Sequence, residues 1–315
     1  MMTKRRLFLN SFALHVIAML LMTLDHIGLM MVSANESGKL GVMGGAIWWC
    51  GDSFRAMGRL SFPLFLFLLA EGMWHTHNKH KYTAFIALEA AIMLGGEALY
   101  VHFAKAPIAL QSNPFLDLAL CLIAMYALSF LFEKGAKKLF ALLLLVPIAY
   151  MALSFYFDYY EAAYDYTVYA FPGYVRSGYG FLGLFWAIGF YFSRPMAKFF
   201  GKKYAEKMGL SPEFFYTQAD FQELYNIIAM AFLVLITLAL WACSGIGAGD
   251  GKYQGNGPYD VYNMSQEAWA VLAAPIIYAY NGKKGYDSRW WKAFRYLYFP
   301  VHLVILYAIF SVYLG

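Results

Sequence analysis

The sequence predicts an all-α fold, a polytopic membrane bundle of about nine transmembrane helices, on three observations. Only 14% of the 315 residues are charged and 61% are hydrophobic, whereas a soluble domain carries roughly 25% charged residues. So few charges cannot cover a water-facing surface. Nine stretches approach or exceed the ~20 residues that a helix needs to cross the hydrocarbon core. Finally, the Lys and Arg residues sort by side once those stretches are taken as crossings. A single domain over 1–315 is expected.

The first stretch, 11–33, follows "MMTKRRLFLN". Its apolar run exceeds the roughly 7–15 residues of a signal-peptide core, and no small-x-small cleavage site follows, so a retained helix is expected. The second, 56–74, holds Arg59 near its outer end and Pro63, which bends a helix and frees a carbonyl, as suits a cavity wall. Apolar runs follow at 82–103, 114–132, 139–157, 174–192 and 223–246. The eighth, 264–280, is the shortest, and the ninth, 294–314, contains Pro300.

Eighteen of the 24 Lys and Arg residues then fall on the N-terminal side, from Lys4, Arg5 and Arg6 to Lys292 and Arg295. Five (Lys39, Arg55, Lys105, Arg176 and Lys252) fall on the other, and Arg59 lies inside the second stretch. The positive-inside rule places the N-terminus in the cytoplasm and the C-terminus outside, and the 26 Tyr and 8 Trp suit interfacial belts. The net charge of +5 is thereby explained by cytoplasmic loops, and no nucleic acid is expected. Cys50, Cys121 and Cys243 have no metal-like spacing and read as packing residues.

The loops differ in character. Residues 157–174 are acidic and Tyr-rich, and 245–264 are Gly-rich; both are expected over the outer face. The inner loop 193–221 is basic and aromatic, the pattern of a helix lying on anionic lipid or touching a phosphate-bearing cosubstrate. No internal repeat is visible, so the inverted-repeat signature of many transporters is missing.

Ionisable groups at membrane depth are functional candidates by default: His15, Asp25, His26, Arg59, Glu71, Glu89, Glu97, Asp117, Glu267 and His302. His15 and His26 are eleven residues apart, about three helical turns, so they share a face at a separation of about 16 Å. Asp25 precedes His26 directly, and adjacent side chains on a helix diverge by about 100°, so a direct dyad is not expected. Arg59 either snorkels, pairs with Asp25 or supplies an oxyanion donor. His75, His77 and His80 have a spacing that zinc would accept, but they sit in a short basic loop with no acid beyond Glu71, and no metal is expected.

Together these stretches resemble the TraX family, integral membrane proteins of conjugal transfer associated with N-terminal acetylation of pilin. "HVIAMLLMTLDHIG" matches a family pattern of Lys, ten residues, then His, with His15 where Lys is usual. "GRLSFPLFLFLLAEGMWHTHNKHKY" matches a second block, and "YNGKKG" and "YFPVHL" match the closing blocks. Residues 104–222 and the Gly-rich loop match poorly. The basic-x10-His spacing also looks like that of bacterial membrane O-acyltransferases.

The resemblance implies an acyltransferase of the bacterial cytoplasmic membrane, with acetyl-CoA or another acyl-CoA as cosubstrate. It implies His26 as catalytic residue, acting as base or nucleophile, with Asp25 and Arg59 beside it and position 15 as its basic partner. Since a neutral imidazole cannot replace an ammonium, either His15 is protonated or the cosubstrate contact is weaker here. The inner Lys202, Lys203, Lys283 and Lys284 are expected to hold the cosubstrate phosphates, and His15 and His302 are counted with them as cosubstrate-binding, bundle packing being the alternative for His302. The acceptor, a peptide, glycan or lipid at the outer face, and the oligomeric state stay open. Two competing classes are a lipid or small-solute transporter and a non-enzymatic envelope assembly factor.

Overall fold

Backbone in hydrocarbon must satisfy its own hydrogen bonds, which favours helices, and helices are what this chain forms. The computed structural model describes residues 7–36, 44–103, 113–131, 135–164, 167–247 and 261–314. Lys4, Arg5, Arg6, Lys39, Lys105, Lys134, Lys252 and most of the Gly-rich loop lie outside these residues. In chain order the helices are α1 (Ser11–Glu36), α2 (Gly44–Gly58), α3 (Ser61–His75), α4 (Lys79–Phe103), α5 (Pro114–Leu128) and α6 (Leu145–Tyr164). Then come α7 (Gly180–Lys207), α8 (Pro212–Phe215), α9 (Ala219–Gly247), α10 (Val261–Ala268), α11 (Ala274–Tyr278) and α12 (Arg289–Leu314).

Among the described residues six helices are long and apolar enough to cross a membrane: Ser11–Ala34, Gly45–His75, Lys79–Phe103, Lys137–Glu161, Ala219–Ser244 and Arg289–Phe310. The protein is an integral membrane protein. The other three stretches become shorter or interrupted elements. The first is the short apolar helix Pro114–Leu128. The second is α7, whose apolar half ends at Arg194 and Pro195. The third is 261–278, where α10, a 3-10 segment (Trp269–Ala273) and α11 replace one continuous span. Pro275 at the start of α11 contributes to that interruption.

Two expectations are corrected. The second apolar element begins at Gly44 and breaks at Arg59–Leu60. Pro63 lies in the first turn of α3, where its missing N–H would be unsatisfied anyway. The basic-aromatic stretch after residue 193 is not an element of its own, because it continues α7 to Lys207.

Contacts divide the chain into two compact units. The first is Met1–Phe65, Met196–Ala231 and Gln266–Gly315, and the second is Leu66–Pro195 and Phe232–Ser265.

In the second unit, ionisable side chains at depth have structural partners. Asp117, fully buried, accepts from the Ser177 hydroxyl and from the amides of Gly178 (3.0 Å) and Tyr179 (3.3 Å), anchoring the entry to α7. Arg176 donates to Asp158 (2.8 Å), Glu161 (2.7 and 2.8 Å) and the Phe171 carbonyl (2.8 Å), tying the Tyr-rich segment down. Glu71 pairs with Arg194 at 3.2 Å, and Asn113 donates to Glu97 at 3.1 Å. His75 lies against Arg194, whereas His80 bonds Tyr126. Gly72 leaves room for the Tyr82 hydroxyl, which accounts for the Gly and Tyr at the two ends of "EGMWHTHNKHKY".

Candidate functional site

The first unit brings together most of the residues singled out in the sequence, and the start of α1 is where the arrangement begins. A helix leaves its first amides without intrahelical partners. Here Asn10 Oδ1 accepts from Ala13 N at 2.9 Å, and the carbonyls of Lys283 and Lys284 accept from Ser11 N (2.8 Å) and Phe12 N (3.0 Å). The "YNGKKG" loop can turn this way because Gly282 and Gly285 adopt φ of +72° and +71°, a region open to Gly at little cost. A Cβ on Gly285 would also strike the Asn10 side chain, 2.6 Å away. The loop therefore clasps the end of α1 with its backbone, and the Lys283 and Lys284 side chains stand exposed.

Further along, α1 crosses α2 through glycines. A Cβ on Gly28 would lie 2.5 Å from the Gly51 carbonyl oxygen, and one on Gly58 would overlap Asp25. Small residues of this kind let membrane helices approach closely. They give a physical reason for the Gly of "DHIG" and the Gly of "GR": each brings the Asp25–His26 turn against the α2–α3 junction that carries Arg59.

On another side α1 runs alongside α12 in the same direction. His15 meets Arg295, Thr23 meets Tyr298 (2.6 Å) and His26 meets His302 (3.2 Å). Both α1 imidazoles thus lie on one face of α1, as their spacing predicts, and that face meets α12.

Hydrogen-bond partners decide the tautomers. His302 Nδ1 donates to the Tyr298 carbonyl at 2.9 Å, which leaves its Nε2 an acceptor. His26 Nδ1 has two acceptors before it, the Met22 carbonyl at 2.8 Å and His302 Nε2 at 3.2 Å. Nδ1 of His26 therefore carries the proton and Nε2 holds the lone pair. The two rings are edge-on at 5.0 Å, Phe299 closes on both, and Tyr298 stacks on His302 at 5.0 Å. His302 is only 6% exposed.

The same assignment gives His15 an uncharged ring. Nδ1 donates to the Ser11 carbonyl at 2.7 Å, and Nε2 accepts from Arg295 Nη1 at 2.8 Å. A protonated ring would turn a donor toward the guanidinium, so of the two alternatives for His15 the arrangement favours the uncharged one.

Arg59 forms an ion pair with Glu267, Nη1 to Oε1, at 3.1 Å. The carboxylate seen against Arg59 thus comes from the interrupted 261–278 segment. Asp25 lies beside Gly58, with Oδ1 buried and no hydrogen-bond partner among the described residues. Gln266, next to Glu267, donates to Asp52 at 2.8 Å. Lys202 and Lys203 sit exposed near the end of α7, Lys203 4.7 Å over the Phe199 ring, and form no hydrogen bond or ion pair with the histidines among the described residues.

Nothing in the sequence points to Thr23 or Tyr298, and Arg295 reads there only as one of the inner-side positive charges. Glu267 was visible as an ionisable group at depth, but nothing in the spacing pointed to Arg59. Among the described residues no group of three or more His, Cys, Asp or Glu is arranged to hold a metal ion.

A family model described as TraX protein matches residues 11–176 and 204–310. The match takes in 104–176 and 204–222 and leaves 177–203, part of the stretch expected to fit poorly, outside it. A probable fimbrial assembly protein FimC, serogroup H1, of Dichelobacter nodosus is 35% identical over 78 residues, 25% of this chain and 27% of the relative. The chain thus covers about a quarter of that relative's length. No solved structure matches.

Proposed function

The chain belongs to the TraX family, and from that premise we propose that it is an acyltransferase of the bacterial cytoplasmic membrane. It takes an acetyl or other acyl group from cytoplasmic acyl-CoA and transfers it to an amine or hydroxyl acceptor at the outer face, a peptide N-terminus being one candidate. The observation that carries this reading is the placing of His26 Nδ1 at 2.8 Å from the Met22 carbonyl and 3.2 Å from His302 Nε2, from which the tautomer is assigned. An imidazole whose Nδ1–H is held by Met22 and His302 presents Nε2 as a base or nucleophile.

In the base route the acceptor's N or O attacks the thioester carbonyl while Nε2 removes its proton. The C–S bond breaks, and the CoA thiolate recovers that proton from the imidazolium. The products are the acylated acceptor and CoA thiol. In the nucleophile route Nε2 takes the acyl group first and CoA leaves as thiolate. The acceptor then displaces the acyl group from the imidazole and gives up its proton to the thiolate. Arg59, with its charge balanced by Glu267, is the candidate for oxyanion stabilisation.

The test uses purified protein and acetyl-CoA labelled in the acetyl group. Acyl-enzyme labelling, transfer or slow hydrolysis is expected for the natural protein, and His26→Ala should lose it while still inserting. A His26→Ala variant with near-full turnover would reject the assignment. The relative's description as a fimbrial assembly protein favours one second reading, an assembly factor without chemistry. That reading expects neither labelling nor hydrolysis.

A further inference from the structure

Arg295 is the least accounted-for charge in the first unit. It lies about two turns into α12 and is half-buried. Among the described residues no carboxylate is within ion-pair distance of it. Its partners are His15, which accepts at 2.8 Å, and the ring of Tyr296 at 5.8 Å. Its Nε is buried without a hydrogen-bond partner. The acidic side chain on the preceding loop, Asp287, pairs with Lys292 at 3.3 Å. A guanidinium withdrawn from water normally has an anion beside it. This one has the His15 ring nitrogen at 2.8 Å.

An Arg near a helix end often snorkels to the headgroups and needs no special partner. Arg295 is instead turned sideways, held to α1 by His15, so two helices fix its fork in place. The first turns of α1 and α12 lie at this end, with leading amides already capped by Asn10, the Lys283 and Lys284 carbonyls and Ser288, so the positive field comes from side-chain charges. Lys283, Lys284, Arg289 and Lys292 stand exposed around the same end. A guanidinium fork held in place by one Nη1 contact to His15, within a positive field, matches the several acceptor oxygens of a phosphate.

We infer that Arg295, oriented by His15, forms a phosphate-binding site between the starts of α1 and α12. Two sources share that chemistry: the phosphates of acyl-CoA and the phosphodiester of an anionic lipid. Naming acyl-CoA rests on the proposed function, whereas the phosphate site itself does not. The position suits acyl-CoA because His15 and His26 are about 16 Å apart along the helix, comparable with an extended pantetheine arm. A phosphate at Arg295 would let the thioester reach His26.

The experiment uses the full chain in phosphatidylcholine nanodiscs, with Arg295→Gln and, in case that variant folds poorly, Arg295→Lys, which keeps the charge and loses the fork. Binding of acetyl-CoA and of phosphate-free S-acetyl-pantetheine is measured, together with retention of phosphatidylglycerol during purification. Arg295→Gln should weaken acetyl-CoA binding by about 10- to 100-fold and leave S-acetyl-pantetheine unchanged, with Arg295→Lys in between. Unchanged acetyl-CoA binding with lost phosphatidylglycerol retention assigns the site to lipid. If both are unchanged, the phosphate site is overturned. If the natural protein binds no acetyl-CoA, the acyltransferase reading fails and the lipid arm alone still decides this site.

Discussion

His302 Nε2 stands 3.2 Å from His26 Nδ1, although 276 residues separate the two in sequence. His302 touches His26 at Nδ1, away from Nε2, and so orients that imidazole. In His302→Ala the Met22 carbonyl would still hold the Nδ1 proton, but the ring loses its wall. Turnover should fall about tenfold with KM within about twofold, the pattern of a lost transition-state contact. A change confined to KM would mean that His302 binds the cosubstrate.

The glycine crossing of α1 and α2 gives a stability prediction. Gly28→Ala and Gly58→Ala force a methyl group against backbone or Cβ atoms, as overpacking does, for about 1–3 kcal/mol. Gly45→Ala, with nothing within 4 Å of its added Cβ, is the control on the same hairpin. Thermal unfolding in detergent should show lower midpoints for the first two variants only. An unchanged midpoint for Gly58→Ala would mean that the close approach at Asp25 is not maintained in the membrane.

Arg59 and Glu267 should behave as a buried pair. Glu267→Gln removes the carboxylate 3.1 Å from the Arg59 guanidinium and should destabilise by about 3–5 kcal/mol, whereas replacing both with Leu should recover most of that loss. A double variant as unstable as the single one would count against the pair.

At the "YNGKKG" loop, backbone and side chains have separable roles. Gly285→Ala meets both the positive φ and Asn10, and should destabilise. Lys283→Ala with Lys284→Ala should leave stability unchanged, since the capping carbonyls remain. It should raise the apparent KM for acyl-CoA several-fold at low salt and less at high salt, as screened surface charges do. A KM shift that does not depend on salt would argue against a steering role.

Topology is also testable. If α1 and α12 both cross, their parallel run requires an odd number of crossings counted from first to last. Six long spans alone would be even, so an odd number of the shorter or interrupted elements must also cross. Reporter fusions should read the N-terminus as cytoplasmic and the C-terminus as external. Both termini on one side would refute the parity.

Composition and periodicity by themselves determined that this chain is an all-helical membrane protein and that His15 and His26 share a face of α1. Both are local properties, set by the polarity of consecutive residues and by 3.6 residues per turn. Hydropathy also gave the approximate depth of each ionisable group, which is why His302, Arg59 and Glu267 were visible as candidates. It did not separate α2 from a loop, because "GGAIWWCGDSFRAMG" mixes charge with aromatic residues. Only the tertiary structure decided which helix lies beside which, and on which side. Depth along the membrane normal follows from sequence, but the angle around that normal follows from glycine contacts such as Gly28 on Gly51 and Gly58 on Asp25. Those contacts bring the α2–α3 junction against α1. The meeting of α1 and α12, seen in His26 with His302 and His15 with Arg295, was likewise hidden from the sequence, because no period links residues nearly 300 positions apart.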